Sequence, residues 1–148
     1  MTDCIDVAVI GGGPAGLQTA RLLAETGARV AVFEKKPEIG SKVVCTGFVG
    51  RELFSEFDLP ADILTSEFQE ARIVSATGQT IHYRHPAPFA AVVDRRRFDQ
   101  ALAGLAERAG AKIETGTSVL DIEVLPDGVV LETVAGEAPV RRRARMAV

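Results

Sequence analysis

The chain has 148 residues, 47% of them hydrophobic and 25% charged, which is the length and composition of about one globular domain with a core of its own. Seventeen basic against twenty acidic residues leave a net charge of −3, so no nucleic-acid partner is expected. The polar start MTDCID runs straight into an apolar strand and no apolar run reaches membrane-spanning length, so the expectation is a cytoplasmic protein without signal peptide or transmembrane segment.

In chain order, Asp6 to Lys35 reads DVAVIGGGPAGLQTARLLAETGARVAVFEK. The apolar run Val7 to Ile10 suits a strand buried on both faces, and it feeds into Gly11, Gly13 and Gly16 at the spacing G-x-G-x-x-G. Gly11 permits the tight turn out of the strand. Gly13 removes a side chain that would block a pyrophosphate, and Gly16 lets the following helix approach the sheet. Pro14 suits the turn, where a missing amide hydrogen costs little. The helix N-terminus then presents unpaired N–H groups and the positive end of its dipole to an anion. Leu17, Ala20, Leu23 and Ala24 give that helix an apolar face, and Gly27 stands where a left-handed cap is expected. The strand Val30 to Phe33 delivers Glu34, whose carboxylate suits a ribose 2′-OH and repels a 2′-phosphate, although Lys35 and Lys36 follow it. FAD or NAD is therefore favoured over NADP.

The stretch KKPEIGSKVVCTGFVG, broken by Pro37, Gly40, Gly47 and Gly50, reads as a loop over the nucleotide. A short helix is predicted over Arg51 to Phe57, and strands over Ala71 to Ser75 and Thr80 to Tyr83 flank a turn. The segment FAAVVDRRRFDQALAGLAERAGAKIETG predicts a strand, Asp94 as an N-cap, and a long helix. Its apolar face is Phe98, Ala101, Leu102, Leu105, Ala106 and Ala109, and Gly110 ends it. Lys112 to Glu114 predicts a further parallel strand. Ser118 to Leu125 with Val129 to Thr133 predicts a hairpin, and Val140 to Val148 a last strand with arginines in its middle. The fold class expected is α/β, a doubly wound Rossmann-like domain over 1–148 with a small antiparallel element inserted at about 68–92. Because the chain stops on an apolar strand residue, it is expected to be the N-terminal piece of a longer protein.

Cys4 and Cys45 are the only cysteines, far apart and without a C-x-x-C pair, so no disulfide framework, zinc site or dithiol chemistry is expected. His82 and His85 stand three apart in a predicted strand and would face opposite ways, which argues against a shared metal. No G-x-S-x-G elbow is present to support hydrolase chemistry.

The combination of VIGGGPAG, FEK, KVVCTGFVG and VVDRRRFDQAL resembles the geranylgeranyl reductase-like branch of FAD-dependent oxidoreductases, which share the p-hydroxybenzoate hydroxylase type of fold. The resemblance runs along nearly the whole chain. It implies that Gly11, Gly13, Ala15 and Gly16, with Pro14 in the same turn, hold the FAD pyrophosphate, and that Glu34, with Lys35 beside it, binds the adenosine ribose. Arg95 would reach the phosphate or ribityl region, Val119 would contact adenine through its backbone, and Cys45, Thr46 and Gly47 would lie near the flavin or substrate. It further implies NAD(P)H as reductant and an isoprenoid lipid substrate whose carbon–carbon double bonds are reduced, with peripheral membrane contact. Catalytic residues are not assigned. Members of the branch continue with a G-A-D-G segment and a later G-D motif, neither of which occurs before the chain ends at RARMAV, so the chain by itself is expected to be inactive. Two alternatives stand beside this reading: a flavin-dependent aromatic hydroxylase or halogenase on the same fold, and a catalytically silent nucleotide-binding module.

Overall fold

The computed structural model describes residues 5–148, so Cys4 lies outside the described residues. The chain divides into two compact units, one running up to Lys42 and resuming from Asp99 to Val148, the other Val43–Phe98.

In the first unit, β1 (Ile5–Ile10) leads through the glycine turn into α1 (Pro14–Glu25) and then β2 (Val30–Glu34). Val7, Ala8 and Val9 are all buried, as are Val30 to Phe33, which is why both strands read as unbroken apolar runs. Helix α1 is capped by Thr26, and Gly27, in the left-handed region at φ 87°, donates back to the Ala24 carbonyl at 2.8 Å.

The second unit supplies β3 (Phe48–Gly50), the one-turn helix α2 (Leu53–Glu56), a 3₁₀ turn (Ala61–Ile63), β4 (Leu64–Phe68), β5 (Glu70–Val74), β6 (Thr80–Arg84) and β7 (Ala90–Val93). The antiparallel order β3-β7-β4 makes one sheet, and β5-β6 makes a separate hairpin at the predicted positions. The strand before the long helix thus pairs with β3 and β4. The predicted loop ends in β3, and the predicted helix over Arg51 to Phe57 shrinks to four residues.

Helix α3 (Arg95–Arg108) begins in the second unit and continues in the first. Its start is capped as its sequence predicts: the Asp94 carboxylate accepts the Arg96 and Arg97 amides at 3.0 and 3.1 Å. It is followed by β8 (Lys112–Thr115), β9 (Ser118–Leu125), β10 (Gly128–Val134) and β11 (Pro139–Ala147). The main sheet runs β8-β2-β1-β11-β10-β9, parallel from β8 to β11 and antiparallel beyond.

The doubly wound expectation takes a particular form. One face of the parallel strands (Val7, Val9, Val30, Val32) packs on Ala20 and Ala24 of α1 and on Ala106 and Ala111. The other face (Ala8, Ala31, Phe33), with Ile5 at the start of β1, packs on Val129, Leu131 and Ala144 of β10 and β11. The long strand β11 must curl to do this. Its Arg142 bonds Glu114 of β8 at 3.0 Å and lies 5.9 Å from the Phe33 ring centre, yet β8 is three strands away, roughly 14 Å in a flat sheet.

Candidate functional site

The glycine turn sits at the carboxyl end of β1, where open α/β sheets bind their ligands. The three glycines differ in why they must be glycine. Gly11 lies at φ 107°, a conformation that strains any residue with a Cβ, and its amide donates to the Phe33 carbonyl at 2.9 Å, locking the turn to β2. A Cβ on Gly16 would collide with the Gly11 carbonyl oxygen and stand 3.3 Å from Val9 Cγ1. Gly13 has neither constraint. Its φ is −84°, which any residue adopts, and a Cβ there would meet none of the described residues within 4 Å. The space it leaves open is in front of the α1 N-terminus, where Ala15 and Gly16 have no intrahelical acceptor and Pro14, at the first helical position, has no amide to satisfy.

Glu34 ends β2 beside this turn, half-buried. One carboxylate oxygen accepts the Gly12 amide at 2.8 Å and the other accepts the Lys36 amide at 2.8 Å. A carboxylate has roughly four lone-pair sites, so each oxygen retains capacity for a hydroxyl donor. The Glu34 carbonyl in turn accepts the Thr117 amide at 2.9 Å, which ties the approach to β9 to the same strand end. Thr117 is buried, and Val119, two residues further, packs against the Phe33 and Leu131 cluster while its backbone pairs with Thr133. Lys35 is exposed. The first unit therefore brings together Gly11, Gly13, Pro14, Ala15, Gly16, Glu34 and Lys35.

Cys45, Thr46, Gly47 and Arg95 belong to the second unit, which has its own cluster. Gly47 is buried at φ 74°, its carbonyl accepts the Val93 amide at 2.9 Å, and a Cβ on it would collide with the Val93 carbonyl and stand 3.3 Å from Arg95 Cγ. The start of α3 and the end of the Cys45 loop are thus neighbours. The Arg95 guanidinium lies 5.8 Å from the Phe98 ring centre, and Cys45 and Thr46 are exposed.

Reading the sequence missed Gly12 and Ile39. Gly12 is the middle, unspecified position of the motif, yet its amide holds Glu34 and a Cβ on it would collide with Ile39 and stand 3.1 Å from Glu34 Cβ. A lone isoleucine in the polar stretch KKPEIGSK hints at burial, but nothing in the sequence says against what it packs.

The donor set suits a dinucleotide: an open anion space at a helix N-terminus and, at the adjacent strand end, an oriented carboxylate for a ribose diol. The class follows. The model of the FAD dependent oxidoreductase family matches residues 6–86, and the chain belongs to that family. Its relatives include the digeranylgeranylglycerophospholipid reductase of Methanospirillum hungatei, 33% identical over 95% of this chain and 36% of that protein. An uncharacterised Methanosarcina barkeri protein from the nifH2 5′ region is 36% identical over 94% of this chain and 78% of its own length. Among solved structures, a geranylgeranyl bacteriochlorophyll reductase-like protein of Thermoplasma acidophilum superposes with a TM-score of 0.87 at 28% identity, over 99% of this chain and 39% of that one. The p-nitrophenol 4-monooxygenase of Pseudomonas putida shares the fold, with a TM-score of 0.79 at 20% identity over 99% and 40%. The chain spans about a third of the length of the reductases it matches. Among the described residues no helix is long and apolar enough to cross a membrane.

Proposed function

We propose that this chain is the FAD-binding part of a reductase that draws electrons from NAD(P)H and reduces carbon–carbon double bonds of an isoprenoid lipid. The observation that carries the cofactor half of this reading is Gly13, a glycine that the fold itself does not demand, facing open space at the α1 N-terminus beside an oriented Glu34. In this reading the amides of Gly13, Ala15 and Gly16 hold the pyrophosphate, because the Gly12 amide is already committed to Glu34. Glu34 accepts the adenosine ribose hydroxyls, Lys35 stands at its rim, and the Val119 backbone meets the adenine. Arg95 and the segment Cys45, Thr46 and Gly47 are assigned to the flavin side. FAD, when bound, supplies the hydride-transfer chemistry, and the protein supplies binding and orientation.

The substrate half rests on relatives above 30% identity whose names are lipid reductases. A lipid substrate brings contact with a membrane surface. The compartment that fits is the cytoplasm. The 1–148 stretch is then one FAD-binding domain, with the antiparallel strands of about 68–92 inserted in it. Anaerobic turnover by the whole protein decides between reductase and hydroxylase: saturation of an isoprenoid double bond with NAD(P)H is expected, and strict dependence on O₂ with a hydroxylated or halogenated product would overturn it.

A further inference from the structure

We infer that Ile39 is a positioning residue that holds the Glu34 carboxylate on the Gly12 amide, and that through this hold the chain prefers an adenosine ribose with a free 2′-hydroxyl. The inference rests on the nucleotide-binding reading above and extends it to a residue outside the glycine turn.

A glutamate side chain at a strand end has three rotatable bonds, and its carboxylate gains from swinging into water unless something prevents it. Here both oxygens are engaged, by the Gly12 and Lys36 amides at 2.8 Å each. Such charge-assisted bonds are strong only where water does not compete for them. Ile39 covers one side of this arrangement, over the Gly12 backbone and the aliphatic stem of Glu34. It is 8% exposed in a stretch that is otherwise polar, and its Cδ1 fills the place where a Cβ on Gly12 would go, next to Glu34 Cβ and Cγ. Its own backbone is tethered to α3 by a long hydrogen bond from Gln100 Nε2 to the Ile39 carbonyl, at 3.5 Å.

The consequence for specificity is physical. A free glutamate turns away from an incoming 2′-phosphate and lets the nearby Lys35 or Lys36 take the anion. A glutamate clamped between two amides and an isoleucine cannot turn. It accepts hydroxyl donors and repels a phosphate at a fixed place. Discrimination therefore depends on Ile39 as well as on the charge of Glu34.

The test titrates ADP-ribose and 2′-phospho-ADP-ribose by calorimetry into the chain and into Ile39→Ala, Ile39→Val, Ile39→Thr and Glu34→Gln, with the Gly12 amide resonance followed by NMR in the absence of ligand. The unsubstituted chain is expected to prefer ADP-ribose by about tenfold or more, the size of one charge-assisted hydrogen bond. Ile39→Ala should lose most of that preference and shift the Gly12 amide in the same direction as Glu34→Gln, with Ile39→Val restoring both. If Ile39→Ala does not fold, the matched pair carries the test: valine keeps the preference and threonine, of nearly the same shape but wettable, loses it. An unchanged preference with an unmoved Gly12 amide would overturn the inference, and so would an equal loss of both ligands with that amide unmoved. If the unsubstituted chain binds neither nucleotide, the underlying nucleotide-binding reading fails and the inference falls with it, before any variant is made.

Discussion

A collision with Gly11 makes glycine necessary at position 16, and a left-handed backbone makes it necessary at position 11, whereas none of the described residues does so at position 13. This separates fold from ligand by mutation. Gly16→Ala is expected to lower the thermal midpoint, because backbone must move to admit one methyl group. Gly13→Ala should cost the empty protein about 1 kcal/mol or less, the difference between the two residues at an N-cap, while Gly13→Val should abolish FAD binding by filling the phosphate space. Paired denaturation and FAD titrations check both. A Gly13→Val protein that is folded and keeps its FAD affinity would refute the assignment. At the other end of the site, Glu34→Ala should weaken FAD binding by about 1–3 kcal/mol, since it removes an ionised acceptor from the ribose. Calorimetric titration reads that loss directly.

At the scale of elements, the arginines and acids of the strands show how one sheet is stitched. Arg142 turns inward across Phe33 to Glu114, while Arg141 and Arg143 on the same strand pair outward with Glu123 and Asp127. The outward pairs are exposed and contribute little. At the opening of β1, Asp6 accepts Arg29 Nε and Nη2 at 2.8 Å each and the Arg29 amide at 3.0 Å, with Arg145 of β11 also near. The side-chain bonds from Arg29, then its backbone bond, hold the Asp6 carboxyl well below the usual carboxylate range. A carboxylate lowered in the folded state stabilises it fully above the unfolded value of about 3.9, and that contribution fades as pH falls below it. Asp6→Asn should therefore lower stability at neutral pH, and its difference from the unsubstituted chain should shrink between about pH 4 and pH 2 in denaturant titrations. A difference constant across that window would show that the ion pair is not responsible.

Across the whole molecule, what could be read from the sequence follows from what writes a pattern there. Strands β1 and β2 are buried on both faces, so they appear as continuous apolar runs, and the Asp94 cap and the α3 apolar face announce the helix. Strand β4 (LTSEF) is almost wholly exposed and has no alternation to detect, and β3 is three residues long, so both lay hidden in apparent loop. The Glu34 carboxylate could be picked out from its spacing after the glycines. Its clamp could not, because the Gly12 amide carries no side chain to signal it and Ile39 meets it only through the fold. The curl of β11 was equally invisible, since Arg142 is written in a run of three arginines and only its bond to Glu114 distinguishes it.

The central claim is that the glycine turn and Glu34 form the adenosine-diphosphate end of an FAD site, and an amide-resolved NMR titration of this chain with FAD tests it most directly. The account predicts saturable shifts concentrated at the amides of Gly13, Ala15 and Gly16, with a second group at Gly12 and Lys36 as the ribose meets Glu34. A folded chain that shows no shifts at those amides, or shifts confined to other parts of the sheet, would contradict it.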